Sequence, residues 1–548
     1  MPTPSGPRPP RRPIPPHQQP DEDQSASGPL PGLSPRGLAA ALFVLAAALR
    51  FSGLERQSFW YDEAVSVALA RHPIADLLAG RIRDEGNPPL YPVLLHLWMG
   101  GFGAGDGAVR GLSALLGALT VPVMLAVARQ IVPERVAFLT ATLLALSPFH
   151  LQMAQEARGY ALLAFLAAAC AWALLWALSR QTEEAPSAPG RWAPWGLFAL
   201  TTAAMALTHY FGLVVAFGFA LYIVVVHRRH PAVLLRAGIA YAVAALLFGF
   251  WIPTLAQQIG LPGNLARSRE SWLWHLLATP LTFTLGTALL WKDVAAEGAS
   301  TTNIVLRALA GGLGTLAALV AAAAGLRQIW RTTHQDRDRG IWLLVTWLVV
   351  PVAVPALISL TGHPVYNGRY AIAASLPFLL CVAAGLDDLA DRARVAVGGI
   401  LVITMGAATF ATLSWLGTGR PLKHQWRETA AFIELLRKPN DVLLFDADFN
   451  ETAYAHYAGP EREDKGRVRL LSPPPGAPAG QLFGAFQAGE AAVDVTDVVR
   501  GRDRVWLILS DASAASTART QAFFASWSPG PATQLRGIAI RQYQRPKN

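Results

Sequence analysis

Long apolar runs dominate the chain between positions 37 and 416. They lie at Gly37–Leu54, Gly111–Ala128, Val136–Pro148, Ala161–Leu178, Trp195–Thr208, Leu213–Val226, Gly238–Leu255, Val305–Leu326, Ile341–Leu360, Ala371–Leu386 and Val395–Leu416. A spanning helix needs roughly 20 mostly apolar residues, because the hydrocarbon core is about 30 Å thick. The pattern therefore predicts a mainly α protein, a polytopic bundle of about eleven transmembrane helices. Another stretch, Trp272–Leu290, is interrupted by Pro280 and several Thr, and predicts an interfacial or re-entrant helix. Leu90–Gly101 predicts a juxtamembrane helix, since Asn87-Pro88-Pro89 opens it and Pro92 interrupts it.

The flanks have other patterns. Residues 1–35 are rich in Pro, Ser and Gln, bury too little apolar surface to fold, and read as a disordered tail. No cleavage site follows the first apolar run, so this is not a signal peptide. Residues 417–548 read as a small soluble α/β module. Asp441–Phe445, Arg467–Ser472, Arg504–Ser510 and Ile538–Tyr543 have strand patterning, and Trp426–Arg437 has helical spacing. The membrane part between these flanks is residues 36–416.

Composition agrees with a membrane protein. The chain of 548 residues is 53% hydrophobic and 15% charged, against about 25% charged in soluble domains. Its mean hydropathy is +0.33. Cys170 and Cys381 sit in apolar runs and form no metal or redox motif. The net charge of +10, 46 minus 36, reads as topology rather than nucleic-acid binding. With Arg8, Arg11, Arg12 and Arg36 inside, alternate loops carry Arg129 and Arg135, then Arg180 and Arg191, Arg228, Arg229 and Arg236, Arg327 to Arg339, and Arg392 and Arg394. Every inner loop is basic. An odd number of spans leaves the C-terminal module outside.

Polar clusters gather in the outer loops. The first holds Phe59-Trp60-Tyr61-Asp62-Glu63 and Asp84-Glu85-Gly86-Asn87-Pro88-Pro89-Leu90-Tyr91; the second holds Ser147-Pro148-Phe149-His150 and Gln155-Glu156-Ala157-Arg158-Gly159-Tyr160. Thr208-His209-Tyr210-Phe211 and Tyr366-Asn367-Gly368-Arg369-Tyr370 follow. Charges at a bilayer boundary are costly unless paired, solvated or functional. Beside three aromatic residues, Asp62 and Glu63 form a carboxylate pair whose apolar setting raises a pKa toward that of a competent base. Arg158 and Arg369 offer planar, permanently charged contacts to a phosphate. Plainer alternatives stand beside these: Asp62-Glu63 as a helix start, Glu156 and Arg158 as a structural ion pair, Arg369 as a snorkelling anchor, His150 and His209 as packed polar residues, and Asn87-Pro88-Pro89 as a helix opening.

The order of these pieces resembles a known family. One span, an Asp-Glu pair, a Pro-Pro-Leu motif and then Ala108-Val-Arg110-Gly-Leu-Ser-Ala-Leu-Leu-Gly-Ala-Leu-Thr-Val-Pro122 resemble the protein O-mannosyltransferase and aminoarabinose transferase superfamily of the GT-C fold, best from Phe51 to Val226. Gly368-Arg369-Tyr370 and Trp426-Arg427-Glu-Thr-Ala430 are also similar to its bacterial members. The resemblance implies a multi-pass glycosyltransferase of the bacterial inner membrane, with the N-terminus cytoplasmic and the last module periplasmic. Its donor is a sugar on polyprenyl phosphate, its acceptor a hydroxyl of a lipid, glycan or protein, and nucleic acid is no partner. Asp62 falls on the family's catalytic acidic position, Glu63 is its partner, and Glu156 falls near a second acidic position. Arg158 and Arg369 are candidates for the lipid phosphate. Tyr61, Asn87, Tyr91, Tyr160, His209, Tyr210 and Tyr370 complete the expected substrate-binding set. Asn87 is a departure, since relatives often carry His or a basic residue there. The sequence demands no cofactor; Glu63 and Glu156 are candidates to bridge a divalent cation to phosphate. The expected reaction is inverting, with Asp62 as base and a polyprenyl phosphate that leaves as an anion.

Three other classes remain open at this point. A secondary transporter suits the span count but places its key charges near the midplane in broken helices. A polymerase or ligase moving a whole polyprenyl-linked glycan shares the chemistry. A non-catalytic scaffold would use the outer module to bind a partner.

Overall fold

The computed structural model describes residues 34–80, 86–180, 192–259, 272–286, 301–332, 338–392, 394–417, 423–446, 450–459, 466–471, 481–486, 492–510 and 514–546. The expected disordered tail falls almost wholly outside these, as do Asp84 and Glu85. The first half runs α1 (Pro35–Phe51), α2 (Tyr61–Ala70), α3 (Ile74–Leu78), α4 (Leu90–Phe102), α5 (Asp106–Ala128), α6 (Glu134–Leu146), α7 (Pro148–Ala154), α8 (Tyr160–Ser179), α9 (Trp192–Thr208), α10 (Phe211–His227) and α11 (Pro231–Gly249). It continues through α12 (Ile252–Ile259), α13 (Trp272–Leu277), α14 (Thr279–Leu285), α15 (Thr301–Thr332), α16 (Asp338–Leu360), α17 (Ile372–Arg392) and α18 (Arg394–Gly417).

Each of the eleven predicted spans coincides with a helix. By length and composition, six helices among the described residues are able to cross a membrane, and a seventh span forms if α6 and α7, bent by 53°, count as one. Others are short: α1, α9 and α10 have 17 residues each, about 26 Å at 1.5 Å per residue. The stretch at Trp272 breaks into α13 and α14 at Ala278, and α4 starts after Pro89 as the Pro-Pro pair predicts. On α11, Leu235, Ile239, Val243 and Leu246 are exposed at helical spacing. That is the outward apolar stripe a bilayer covers. Inside, α15 and α17 pack backbone to backbone: a methyl added to Gly385 would lie 1.7 Å from the Ala321 carbonyl oxygen, and one on Gly325 1.9 Å from that of Cys381. Small residues permit such close crossing, where dispersion replaces the hydrophobic drive.

The C-terminal module follows as α19 (Trp426–Leu436), β1 (Val442–Asp446), α20 (Asn450–Ala458), β2 (Arg467–Leu471), β3 (Phe483–Ala485), β4 (Val493–Asp494), α21 (Val495–Val499), β5 (Arg504–Ser510), α22 (Ala514–Phe523), β6 (Ser528–Leu535) and β7 (Ile538–Gln544). The sheet order is β4-β3-β2-β1-β5-β7-β6. β1 runs parallel to β2 and β5, with Leu444 opposite both Val468 and Leu507. Its five residues are all buried, as a two-faced central strand requires. The four predicted strands are β1, β2, β5 and β7. β6 went unread because Pro529 and Pro531 interrupt it; it is an edge strand with a register shift between Pro529 and Ala532, where proline is tolerated.

The module is docked on the first outer loop. Ser58 Oγ donates to the His424 carbonyl at 2.9 Å, and Phe59 N donates to Tyr457 Oη at 2.6 Å. Tyr457 Oη in turn donates to Asp106 Oδ2 at 2.7 Å, which Arg427 also grips. The end of α1 and the module thus share one end of the bundle.

Candidate functional site

The chain leaves α1, turns through Phe59, and enters α2 at Tyr61. Asp62 and Glu63 fall in the first turn of α2, where acidic side chains meet the positive end of the helix dipole. Successive helical residues point about 100° apart, and the two acids have different surroundings. Glu63 is fully buried. Arg110, at the start of α5, donates from Nε to Oε1 and from Nη2 to Oε2, both at 2.7 Å. Lys423 Nζ donates to Oε2 at 2.9 Å, and the Ala157 amide donates to Oε1 at 3.1 Å. Arg110 also donates to the carbonyls of Leu54, Gln57 and Ser58. Burial alone would raise the Glu63 pKa, but the Arg110 and Lys423 charges outweigh it and hold the carboxyl well below the usual range. The raised pKa expected of the Asp62-Glu63 pair is therefore not found at Glu63.

It is found at Glu156. This carboxyl is 5% exposed. Burial raises its pKa, Lys423 and Arg369 pull it down, and Glu63 and Asp62 push it up; the net direction is upward. Lys423 Nζ lies 3.8 Å from Oε1, while Oε2 is buried with no hydrogen-bond partner. Asp62 is half-buried, and no described contact engages its carboxylate; only its backbone carbonyl is used, by Ser66 Oγ at 3.0 Å and Arg158 Nη1 at 3.4 Å. Arg369 stands over the Trp60 ring at 5.1 Å and is electrostatically coupled to Tyr160, Glu156, Asp62 and Tyr370. Three loops far apart in sequence therefore bring Asp62, Glu156 and Arg369 together.

Beside them, Ser66, Asn87, Tyr91, Arg158, Tyr160 and His209 line an open cleft of about 310 Å³. Asn87 and Pro92 also border an apolar hollow of about 280 Å³ with Leu69, Leu77 and Trp251. Tyr370 joins the cluster by stacking on Tyr160, with centroids 6.1 Å apart, and by packing against His209 at 4.9 Å. Burial and the Arg158 charge lower the His209 pKa to about 3, so the ring is neutral. Its Nδ1 accepts from the Phe211 amide. Tyr91 Oη bonds Ser113 Oγ at 2.9 Å, a packed role beneath the cleft. Tyr61 is half-buried on α2. Tyr210 stands apart: its hydroxyl donates to Gln258 and accepts from Trp251 Nε1.

Sequence reasoning missed Trp60, Arg110 and Lys423 as parts of this site. Arg110 carried a readable signal, a charge at the edge of an apolar run; Lys423 carried none, since its partner lies 360 positions away. Of the two carboxylates expected to bridge a divalent cation to phosphate, Glu63 does not fit. Both Glu63 oxygens are filled by nitrogen donors, and among the described residues no group of three or more His, Cys, Asp or Glu side chains converges.

The chain is thus a helical bundle with acids, guanidinium groups and aromatic residues gathered at one end, under the α/β module. Residues 86–256 match the family model described as dolichyl-phosphate-mannose-protein mannosyltransferase. The match includes Asn87, Tyr91, Glu156, Arg158, Tyr160, His209 and Tyr210, and stops short of Asp62, Glu63 and Arg369. ArnT from Cupriavidus metallidurans in the apo state is similar in structure at 13% identity and TM-score 0.61, over 92% of this chain and 98% of that one. The same protein bound to undecaprenyl phosphate matches at 13% identity and TM-score 0.56, over 92% and 97%. AglB from Archaeoglobus fulgidus, in complex with an inhibitory peptide and a dolichol-phosphate, matches at 13% identity and TM-score 0.52, over 92% and 74%. Against another structure of the A. fulgidus oligosaccharyltransferase, tethered to an acceptor peptide, the chain spans 63% of that protein's length. No curated protein sequence matches the chain. The fold is that of these multi-pass membrane glycosyltransferases, and the resemblance read from the sequence is borne out.

Proposed function

We propose that the protein transfers a sugar from polyprenyl phosphate to an acceptor hydroxyl, on the outer face of the bacterial inner membrane, with inversion. The observation that carries this reading is the half-buried Asp62 carboxylate. It is one helical turn from the cleft residue Ser66 and coupled to Arg369. Asp62 takes the proton of the acceptor hydroxyl, whose oxygen forms the bond to the anomeric carbon as the bond to phosphate breaks. The leaving phosphate is an anion and needs positive neighbours more than a general acid; Arg369 and Arg158 supply them. Burial pushes Glu156 toward its protonated form, and in that form it offers a hydrogen-bond donor without repelling the phosphate. Glu63 does not react; it is the hub that holds the loops. Tyr160 and Tyr370 face the sugar or the first isoprenoid unit. The polyprenyl phosphates bound by the similar ArnT and AglB structures support the donor class. Residues 36–416 form the catalytic membrane part and 417–548 the periplasmic module, with the N-terminus cytoplasmic.

The test uses full-length protein in proteoliposomes, a panel of polyprenyl-phosphate hexoses and pentoses, and a membrane lipid extract as acceptor. Release of polyprenyl phosphate is measured. Asp62→Asn lowers the rate by about 10²- to 10⁴-fold, while insertion is unchanged. Full activity in this variant refutes the assignment of Asp62 as base.

A further inference from the structure

Lys423 belongs to the C-terminal module, and its backbone is fixed there. Its neighbour Gln425 exchanges bonds with Arg536, accepting on Oε1 from the Arg536 amide at 2.9 Å and donating its own amide to the Arg536 carbonyl at 3.2 Å. Trp426, the next residue, is fully buried. The side chain nevertheless leaves the module. Nζ bonds Glu63 Oε2 at 2.9 Å and lies 3.8 Å from Glu156 Oε1, with the side chain only 10% exposed. It also sits 6.0 Å from the centroid of Trp60, the ring that carries Arg369. Glu63 accepts from the Ala157 amide beside Glu156. One ammonium thus ties the module to the first outer loop, and through Glu63 to the second.

We infer that Lys423 is a positioning residue, a latch by which docking of the C-terminal module sets the geometry of Asp62 and Glu156. The inference deepens the transferase reading and rests on it. Glu63 keeps Arg110 whether or not Lys423 is present, so loss of the latch leaves the bundle folded. Glu156 loses its nearest cation. Of the charged groups facing it, Arg369 then remains against Glu63 and Asp62, so its pKa rises further.

The experiment compares Lys423→Met and Lys423→Arg in the full chain in lipid nanodiscs. Hydrogen exchange of residues 56–70 and 155–160 is followed, together with turnover of the best donor from the panel. For Lys423→Met, exchange is about tenfold faster and kcat falls between about ten- and a hundredfold at nearly constant KM. The alkaline limb of its pH profile, where Glu156 gives up the proton with which it serves as donor, moves to higher pH. Lys423→Arg keeps the charge and restores all three readouts toward wild type. Exchange within twofold of wild type in Lys423→Met overturns the latch. Faster exchange with unchanged kcat and pH profile overturns the positioning role. If the wild type turns over no donor, the transferase reading falls, and the exchange arm alone decides whether the latch exists.

Discussion

Replacing Glu63 by Gln tests the organisation of the site most directly. The carboxylate is fully buried and meets Arg110 through two bonds of 2.7 Å, Lys423 through one of 2.9 Å, and the Ala157 amide. Gln keeps the volume and one acceptor oxygen but turns an amide NH₂ toward a cation. Breaking a buried ion pair from one side costs about 3–5 kcal/mol, since it leaves the partner charge uncompensated. Here two cations are left, and the Arg110 side chain is only 2% exposed. Thermal unfolding of the detergent-solubilised protein at pH 7 measures the loss. The partner variant Arg110→Met is destabilised as well. The double variant regains part of the loss, because the more deeply buried cation is then gone and only Lys423, 10% exposed and 3.8 Å from Glu156 Oε1, is left without Glu63. Glu63→Gln within about 1 kcal/mol of wild type refutes the hub, for a surface pair contributes no more than that.

The same carboxylate sets a pH dependence. Its pKa is depressed in the folded protein relative to the ordinary 4.5. A depressed carboxyl stabilises the fold fully above its unfolded pKa, and that contribution fades as pH falls through the folded value. Unfolding temperature therefore drops below about pH 4.5 in the wild type, and less steeply in Glu63→Gln. Equal slopes in both proteins sink this account.

Two further outcomes follow from the geometry. Arg369→Met removes the guanidinium above Trp60 and weakens binding of undecaprenyl phosphate by about 1.5–3 kcal/mol, the range for a hydrogen bond to a charged group; isothermal titration in nanodiscs showing unchanged affinity counts against a phosphate contact. Gly385→Leu drives a side chain into the Ala321 carbonyl, 1.7 Å from the added Cβ, and destabilises the bundle by at least about 1–3 kcal/mol, read as a lowered unfolding temperature; an unshifted transition means that α15 and α17 separate freely.

Much of this was legible in the sequence because apolar run length and membrane thickness are tied by a single geometric constraint. The run at Gly111–Ala128 is a helix for that reason, as is the one at Ala161–Leu178. The central strands β1 and β5 were legible because burial on both faces demands unbroken apolar residues. β3 and β4, with three and two residues, are too short for periodicity to register. Within the site, Glu156 and Arg369 were visible as charges at the outer boundary. Asp62 and Glu63 were read as one pair because they are adjacent. Adjacency in a strand or loop can mean shared chemistry; in a helix it turns the two side chains about 100° apart, so Glu63 faces Arg110 while Asp62 does not.

Arg50 bears on the rival transporter reading. It lies within a predicted span and is fully buried, which by itself suits a charge on a transport path. Its bonds say otherwise. Pro148, the first residue of α7, has no N–H, so the Leu144 carbonyl four residues earlier loses its helical donor. Arg50 Nη2 donates to that carbonyl at 3.1 Å, and Nη1 donates to Ala145 O at 3.1 Å and to Ala46 O at 3.2 Å. Gln155 Nε2 does the same for the end of α1, donating to the Arg50 carbonyl at 3.1 Å and that of Ser52 at 2.8 Å. In lipid, backbone groups freed by a bend must be satisfied from within the protein. This buried guanidinium is thus committed to the 53° bend between α6 and α7, the bend that leads the chain into Glu156 and Arg158. A moving ion or solute would have to break those bonds to use it. The charge inside the bundle shapes the loops at its end, and the groups there with no described hydrogen bond to their charged atoms, Asp62, Glu156 Oε2 and the Arg369 guanidinium, collect at that one end.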